Sequence, residues 1–398
     1  MKIKFSSWPS FSVSEIKSVK KVLQSNKVNY WTGNECRKFE KEFAKFFNSE
    51  YAVSLSNGTV AIDLALKAID IQKGDEIIVT SRTFIASASC IVNAGGIPVF
   101  ADVCPNSQNF RSSNILKLIT KKTKAIVCVH LAGWPCEMDN IMKIAKKNKL
   151  FVIEDCAQAH GAKYKGKSVG SIGHIGCWSF CQDKIMTTGG EGGMVTTNSK
   201  NLWKKMWAYK DHGKSYDKVY NKKHQDGFRW LHDSFGSNWR MTEIQAAIGR
   251  AQLKKMNEWT KKRNHNQSVI WNNCSKLDLL RVPKFNEKSW KFFHKGNVHA
   301  AYKCYVFVNK DKLKKGWSRD KIVQEITKLG VPCFSGSCSE VYLEKAFVKS
   351  KLRPKKRLKT AKNLGESSLC FLIHPTVTKK EINLTCQAIN LVAKAATA

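Results

Sequence analysis

Between residues 51 and 155 the chain alternates short apolar runs with longer amphipathic ones, and this alternation confines it to one broad class of fold. Tyr51-Ala-Val-Ser-Leu, Glu76-Ile-Ile-Val-Thr, Ile97-Pro-Val-Phe, Ala125-Ile-Val-Cys-Val-His130 and Leu150-Phe-Val-Ile153 read as strands. The segments Val60 to Ile69, Phe84 to Ala94 and Met138 to Lys149 read as helices between them. Strands apolar on every residue are covered on both faces, and strands joined through helices run parallel. The expectation is an α/β protein with a mostly parallel, doubly covered sheet. Ligands on such sheets bind at the carboxyl ends of the strands.

Apolar residues at helical spacing in Ser14 to Leu23, a break at Trp31-Thr-Gly33 and a second helical run through Phe39, Phe43, Phe46 and Phe47 predict an N-terminal arm over residues 1–48. A large domain is expected over 49–250 and a smaller C-terminal α+β domain over 251–398. Near the junction, Trp239 to Leu253 should begin a long amphipathic helix after the turn Gly236-Ser-Asn238. Beyond it, Tyr302 to Val308 reads as a strand, with helices at Arg319 to Leu329 and Lys380 to Ala393.

At 398 residues and 42% hydrophobic, the chain can bury more than one core. Its 68 Lys and Arg against 31 acids give a formal charge of +37, a balance that raises nucleic acid as a partner. The bases are scattered, as at Lys20-Lys21, Lys121-Lys122 and Lys355-Lys356-Arg357, which favours a solvated surface. Fourteen cysteines are scattered, many inside apolar runs, and the spacings Cys177-x3-Cys181 and Cys333-x4-Cys338 make no convincing zinc half-site. Reduced, buried thiols and no metal are expected. Met1-Lys-Ile-Lys-Phe has no signal-peptide core and no apolar run spans a membrane, so a cytoplasmic protein is expected.

Gly161-Ala-Lys-Tyr-Lys-Gly-Lys-Ser168 fits the P-loop pattern, yet no strand leads directly into it and Val169-Gly-Ser-Ile-Gly173 is a poor helix start. A tight turn between short strands is the better reading. Chemistry concentrates instead in Gly176-Cys-Trp-Ser-Phe-Cys-Gln-Asp-Lys184-Ile-Met-Thr-Thr-Gly-Gly-Glu-Gly-Gly193. Trp178, Phe180 and Ile185 should desolvate Lys184 and so free its amine for Schiff-base chemistry. The glycines at 189, 190, 192 and 193 should let backbone approach a ligand or take positive φ. Upstream, Ser56-Asn-Gly58-Thr59 opens a helix and suits a phosphate. Phe84 is an aromatic near a strand end, and Asp155 is a carboxylate at another, with Gln158 three residues on. A lysine, a phosphate site, an aromatic and a carboxylate for a pyridinium nitrogen are the parts a pyridoxal phosphate enzyme needs. His160 reads as a packed, hydrogen-bonded histidine.

In these motifs the chain resembles the DegT/StrS family of sugar aminotransferases, within the fold type I group of pyridoxal phosphate enzymes. The likeness runs from Pro9, Glu15 and Thr32-Gly33 through Ser56-Asn-Gly-Thr59, Thr83-Phe84, Glu154-Asp-Cys-Ala-Gln158, the Lys184 segment and Asn238-Trp-Arg-Met-Thr-Glu-Ile-Gln245 to His374-Pro375. It implies that Lys184 binds the cofactor covalently and shuttles protons, and that Asp155 pairs with the ring nitrogen. Gln158 would bind the ring oxygen and Phe84 would stack on the ring. Gly58, Thr59 and Ser179 would hold the phosphate, with Asn238 reaching it from the partner subunit of a homodimer with shared active sites. The implied reaction takes an amino group from L-glutamate, leaves pyridoxamine phosphate, and aminates a nucleotide-linked keto-deoxysugar. Tyr302-Lys-Cys-Tyr305 departs from the commoner Tyr-His-Leu-Tyr, so Lys303 bears on sugar contacts. Two alternatives stand beside this reading. Another fold type I enzyme acting on an amino acid would clamp its carboxylate with an arginine, for which Arg229 and Arg240 are available. A basic regulator would bind nucleic acid without needing Lys184.

Overall fold

The computed structural model describes residues 5–283 and 296–398; residues 1–4, part of the segment read above for a leader, and 284–295 lie outside them. Thirteen strands are described: β1 (Tyr51–Leu55), β2 (Glu76–Thr80), β3 (Ile97–Ala101), β4 (Thr123–Val129), β5 (Phe151–Asp155), β6 (Lys163–Tyr164), β7 (Lys167–Ser168), β8 (Ile175–Ser179), β9 (Gly193–Thr197), β10 (Leu280–Arg281), β11 (Cys304–Val308), β12 (Cys333–Phe334) and β13 (Ser368–Phe371). Seven form one sheet in the order β1-β9-β8-β5-β4-β2-β3. The pairs from β8 through β3 are parallel, and β9 runs antiparallel to both β1 and β8. The sheet is mostly parallel, as its uninterrupted apolar strands require: β4 is buried at nearly every residue and β8 and β9 at all of them. One apolar cluster covers one side through Leu64, Leu66, Ile91 and Trp207, and another covers the β2–β5 region through Ile126, Met138, Ile141 and Val152.

The arm is two helices, α1 (Val13–Gln24) and α2 (Glu35–Phe46), both packed on the helix Glu243–Leu253. Asn34 makes no side-chain cap for α2. Instead Glu243, far along the chain, accepts the Glu35 and Cys36 N–H groups, and any Cβ on Gly33 would stand 2.1 Å from that carboxylate. The helix expected from Trp239 begins only at Glu243. Thr242 and Gln245 form a capping box there, while Trp239 is extended, its N–H on Lys210 O and its carbonyl on Ser56 N–H. It also ends at Leu253, and a separate helix spans Met256–Cys274. That second helix gives Met256 and Trp259 to a cluster with Phe39, Phe43 and Trp178, and Ile270 and Cys274 to the core around the four-stranded sheet β10-β11-β13-β12. The chain thus passes from one core to the other within this helix. The P-loop-like stretch is the hairpin β6–β7, with Lys165 and Gly166 at positive φ in its turn, and no helix follows it. All fourteen cysteines are free thiols, ten of them buried. Among the described residues no helix is long and apolar enough to cross a membrane.

Candidate active site

The carboxyl ends of β1, β4, β5 and β8 open into one cavity of about 560 Å³, and it gathers most of the residues singled out from sequence: Gly58, Thr59, Phe84, Asp155, Gln158, Ser179 and Lys184. Parallel strands end on one edge of a sheet, so segments a hundred residues apart meet there.

One wall is the start of the helix α3 (Gly58–Ala68), where Asn57 Oδ1 accepts from Val60 N–H at 3.0 Å. The first-turn N–H groups of Gly58 and Thr59 have no acceptor within the helix. Facing them is Ser179, the last residue of β8; a Cβ on Gly58 would lie 2.5 Å from Ser179 Cβ. Asp155, the last residue of β5, forms the floor. Ser87 donates to its Oδ2 at 2.7 Å and Ala157 N–H to its Oδ1 at 3.1 Å, and no cation pairs with it among the described residues. Burial raises its carboxyl above the usual aspartate range, and this outweighs both hydrogen bonds and the field of Lys184. Ser87 belongs to the helix α4 (Ala86–Asn93) and is bonded in turn to Thr83 at 2.8 Å. Helix α4 starts two residues later than expected, which leaves Phe84 before it, 67% exposed over the cavity. Gln158 Oε1 accepts Ala132 N–H at 2.8 Å; since that partner is a donor, the amide must offer its NH₂ to the cavity.

Lys184 is mostly buried, its side chain 17% exposed, but not among the residues expected to enclose it. Phe180 and Ile185 turn into the core with Phe39 and Phe43; of the three, only Trp178 lines the cavity. The Lys184 Nζ meets Asp183 Oδ1 at 3.1 Å and lies 5.5 Å from the centre of the Tyr302 ring. Tyr302 donates its hydroxyl to Asp183 Oδ2. The Lys184 carbonyl is fixed by the Trp8 indole N–H at 2.8 Å, and the Trp8 ring lies under the Arg263 guanidinium at 5.0 Å. Burial holds Arg263 down to about 9, still charged at neutral pH. The glycines behind the lysine serve the protein more than a ligand. Gly189 and Gly190 do adopt positive φ, but a Cβ on Gly192 would strike Thr188 Oγ1 and one on Gly193 would strike Asn57 O.

Asn238 does not line the cavity. It lies exposed in an extended segment bridged to Asp211. His160 is packed as expected, against Trp178 and Phe180, but without the expected hydrogen bond: neither ring nitrogen has a partner among the described residues, and burial, with Lys184 and Arg263 nearby, depresses it to about 3. Neither Arg229 nor Arg240 lines the cavity; Arg240 is held by the buried Asp211 carboxylate at 2.6 Å, and Arg229 lies exposed. Sequence reasoning missed Ser87, Asp183 and Trp8. Ser87 carried a faint signal, standing one helical turn after Thr83; Asp183 adjoins the lysine; Trp8 had none.

A lysine and a buried carboxylate, with no cation paired to it among the described residues, meet at the strand ends of this sheet, the arrangement that the resemblance to fold type I pyridoxal phosphate enzymes implies. The model of the DegT/DnrJ/EryC1/StrS aminotransferase family matches residues 9–390, and the chain belongs to that family. It is 35% identical over 382 residues to the GDP-perosamine synthase of Escherichia coli O157:H7, covering 96% of each chain. It is 38% identical over 234 residues to a dTDP-3-amino-3,6-dideoxy-alpha-D-galactopyranose transaminase of Aneurinibacillus thermoaerophilus, 59% of this chain and 61% of that one. A solved aminotransferase from Psychrobacter cryohalolentis superposes with a TM-score of 0.96 at 61% identity, over 99% of this chain and 100% of that one. Membership in this family supports a sugar nucleotide aminotransferase.

The residues present fit the family's cofactor, pyridoxal phosphate. Asp155 is a buried carboxylate that lacks the cation a protonated ring nitrogen would provide, and the Gly58–Ser179 cradle is open only because residue 58 has no side chain.

Proposed function

We propose that the protein transfers an amino group from L-glutamate to a nucleotide-linked keto-deoxysugar, as a cytoplasmic homodimer that uses pyridoxal phosphate. The observation that carries this reading is the position of Lys184, its amine in a cavity floored by the unpaired Asp155 carboxylate. Bound pyridoxal phosphate supplies an electron-withdrawing ring through which an amino group is exchanged.

The chain's own residues have distinct tasks. Gly58 and Thr59 offer first-turn N–H groups, and Ser179 a hydroxyl, to the phosphate. Asp155 holds a proton on the ring nitrogen, an arrangement that also relieves the cost of burying its charge. The Gln158 NH₂ would donate to the ring oxygen, and Phe84 would cover the ring and exclude water. Lys184 Nζ would accept a proton from a substrate C–H and later release it, with Asp183 Oδ1 placed to hold the ammonium in between. Asn238, exposed and outside the lining of its own cavity, completes the phosphate site of a second copy. Names among the relatives span GDP- and dTDP-linked sugars, which supports the class of nucleotide-linked sugar.

The test is the visible absorption of the protein given pyridoxal phosphate, before and after L-glutamate, with Lys184→Ala alongside. The expected result is a band that glutamate bleaches and that Lys184→Ala cannot form. A wild type with no band at saturating cofactor would end the reading.

A further inference from the structure

A second, smaller cavity of about 330 Å³ adjoins the first, and Phe84, Gln158, Asp183 and Lys184 line both. Its far wall is Tyr302, Lys303 and Ser337. We propose that this cavity receives a carboxylate of the amino donor and that Lys303 is the cation that binds it. The proposal rests on the assignment of Lys184 as the amino-transfer residue.

Lys184 and Lys303 share one aromatic neighbour, their amino groups 5.5 and 5.2 Å from the centre of the Tyr302 ring. They differ in what they hold. Lys184 is paired with Asp183, whereas Lys303, only partly exposed, has no ion pair among the described residues. The Lys303 charge also helps to lower the Asp183 carboxyl, but no described carboxylate holds its ammonium in an ion pair, and such an ammonium in a cavity wall is a site for an anion, since each hydrogen bond between charged groups is stronger than a neutral one. The other groups here are spoken for. The Tyr302 hydroxyl donates to Asp183, and Ser337 is bonded to Tyr305 at 3.1 Å. Glu344 also lines the cavity but is exposed at its rim. An amino acid that delivers its nitrogen to the Lys184 end must place a carboxylate within a few ångströms of that nitrogen, and among the described residues of this protomer no arginine lines either cavity to receive it. The volume, near the lower limit for ligand sites, suits an amino acid better than a nucleotide-linked sugar.

The experiment compares wild type, Lys303→Met and Lys303→Arg, all loaded with pyridoxal phosphate. Two readouts are taken: the L-glutamate concentration that half-saturates bleaching of the visible band, and calorimetric binding of glutarate, a dicarboxylate with no amino group. Loss of one charge-assisted contact predicts a rise of roughly tenfold or more in both constants for Lys303→Met. The effect on bleaching should fall on half-saturation, not on limiting rate, and Lys303→Arg should restore most of it. Glutarate binding equal in wild type and Lys303→Met overturns the proposal. A wild type that binds glutarate through Lys303 but is not bleached by glutamate would instead refute glutamate as donor and leave the carboxylate site standing.

Discussion

Adding one methyl group at Gly58 should separate cofactor binding from folding. The new Cβ would lie 2.5 Å from Ser179 Cβ, 2.8 Å from its Oγ and 3.0 Å from its Cα. Carbon atoms in contact prefer about 3.5–4.0 Å, so the two segments must part by about 1 Å. Ser179 cannot give way easily, because β8 is hydrogen-bonded between β5 and β9 and two of the clashing atoms sit on or next to its backbone. The yielding side is therefore the first turn of α3. Displacing an N–H by about 1 Å from an acceptor at about 2.9 Å breaks the bond. Each lost bond to a phosphate oxygen is worth about 1.5–3 kcal/mol, or roughly 10- to 100-fold in affinity. Gly58→Ala should therefore weaken pyridoxal phosphate binding at least tenfold, measured by titrating the visible band. The cofactor-free protein should lose about 1–3 kcal/mol to overpacking. Gly58→Ala with Ser179→Gly removes the two closest opposing atoms, leaving only the Cα at 3.0 Å, and should recover more stability than the single effects sum to, without restoring the phosphate contact of the lost hydroxyl. A Gly58→Ala protein that binds cofactor and unfolds like wild type would refute the cradle.

The remaining predictions concern the groups around the cavity. Because burial raises the Asp155 carboxyl, the folded protein binds its proton more tightly than the unfolded chain, so stability from this group falls as pH rises above about 4. Cofactor-free Asp155→Asn should then unfold at a higher temperature than wild type at pH 7, the difference closing toward pH 3, while its amine exchange is lost; equal unfolding at pH 7 would contradict the burial argument. Glu154 has the opposite sign. Burial pushes it up, but His130 and the Gly170 and Gly173 N–H groups outweigh burial and hold it below the usual range, so its stabilisation is present at neutral pH and lost in acid. Glu154→Gln should cost about 3 kcal/mol in denaturant unfolding at pH 7 and progressively less as pH falls; a cost independent of pH would count against this. Trp8→Phe removes the donor to the Lys184 carbonyl and should lower stability by about 1–3 kcal/mol, read from thermal unfolding, with the visible band still formed.

How legible each part was follows from how its information is carried. The strands from 51 to 155 were readable because continuous apolar runs leave few other ways to bury them, and Glu76–Thr80 matches its expected bounds. Gly58, Thr59, Phe84, Asp155, Gln158, Ser179 and Lys184 share the cavity because strand ends share an edge. The helix start at Glu243 was misplaced even though Thr242-Glu-Ile-Gln245 spells a capping box; the apolar Trp239 and Met241 extended the apparent period backward. Asp183 meeting Tyr302, Trp8 meeting Lys184 and Glu243 capping α2 join segments more than a hundred residues apart, and no local pattern encodes such pairs.

The pair Glu154-Asp155 shows how one local rule divides structure from chemistry. Successive residues of a strand face opposite sides of the sheet. Glu154 takes the side where His130 at 2.9 Å and the Gly170 and Ile172 N–H groups, each at 2.9 Å, use up its carboxylate and pin the loop after the β6–β7 hairpin to the sheet. Asp155 takes the cavity side, where two neutral donors leave its charge unmet. An acid satisfied by the protein holds the strand in place, and that rigidity keeps its neighbour unsatisfied at a fixed point. A strand shifted by one residue would exchange the two roles, burying the pairing acid in the cavity and leaving the hairpin without its anchor.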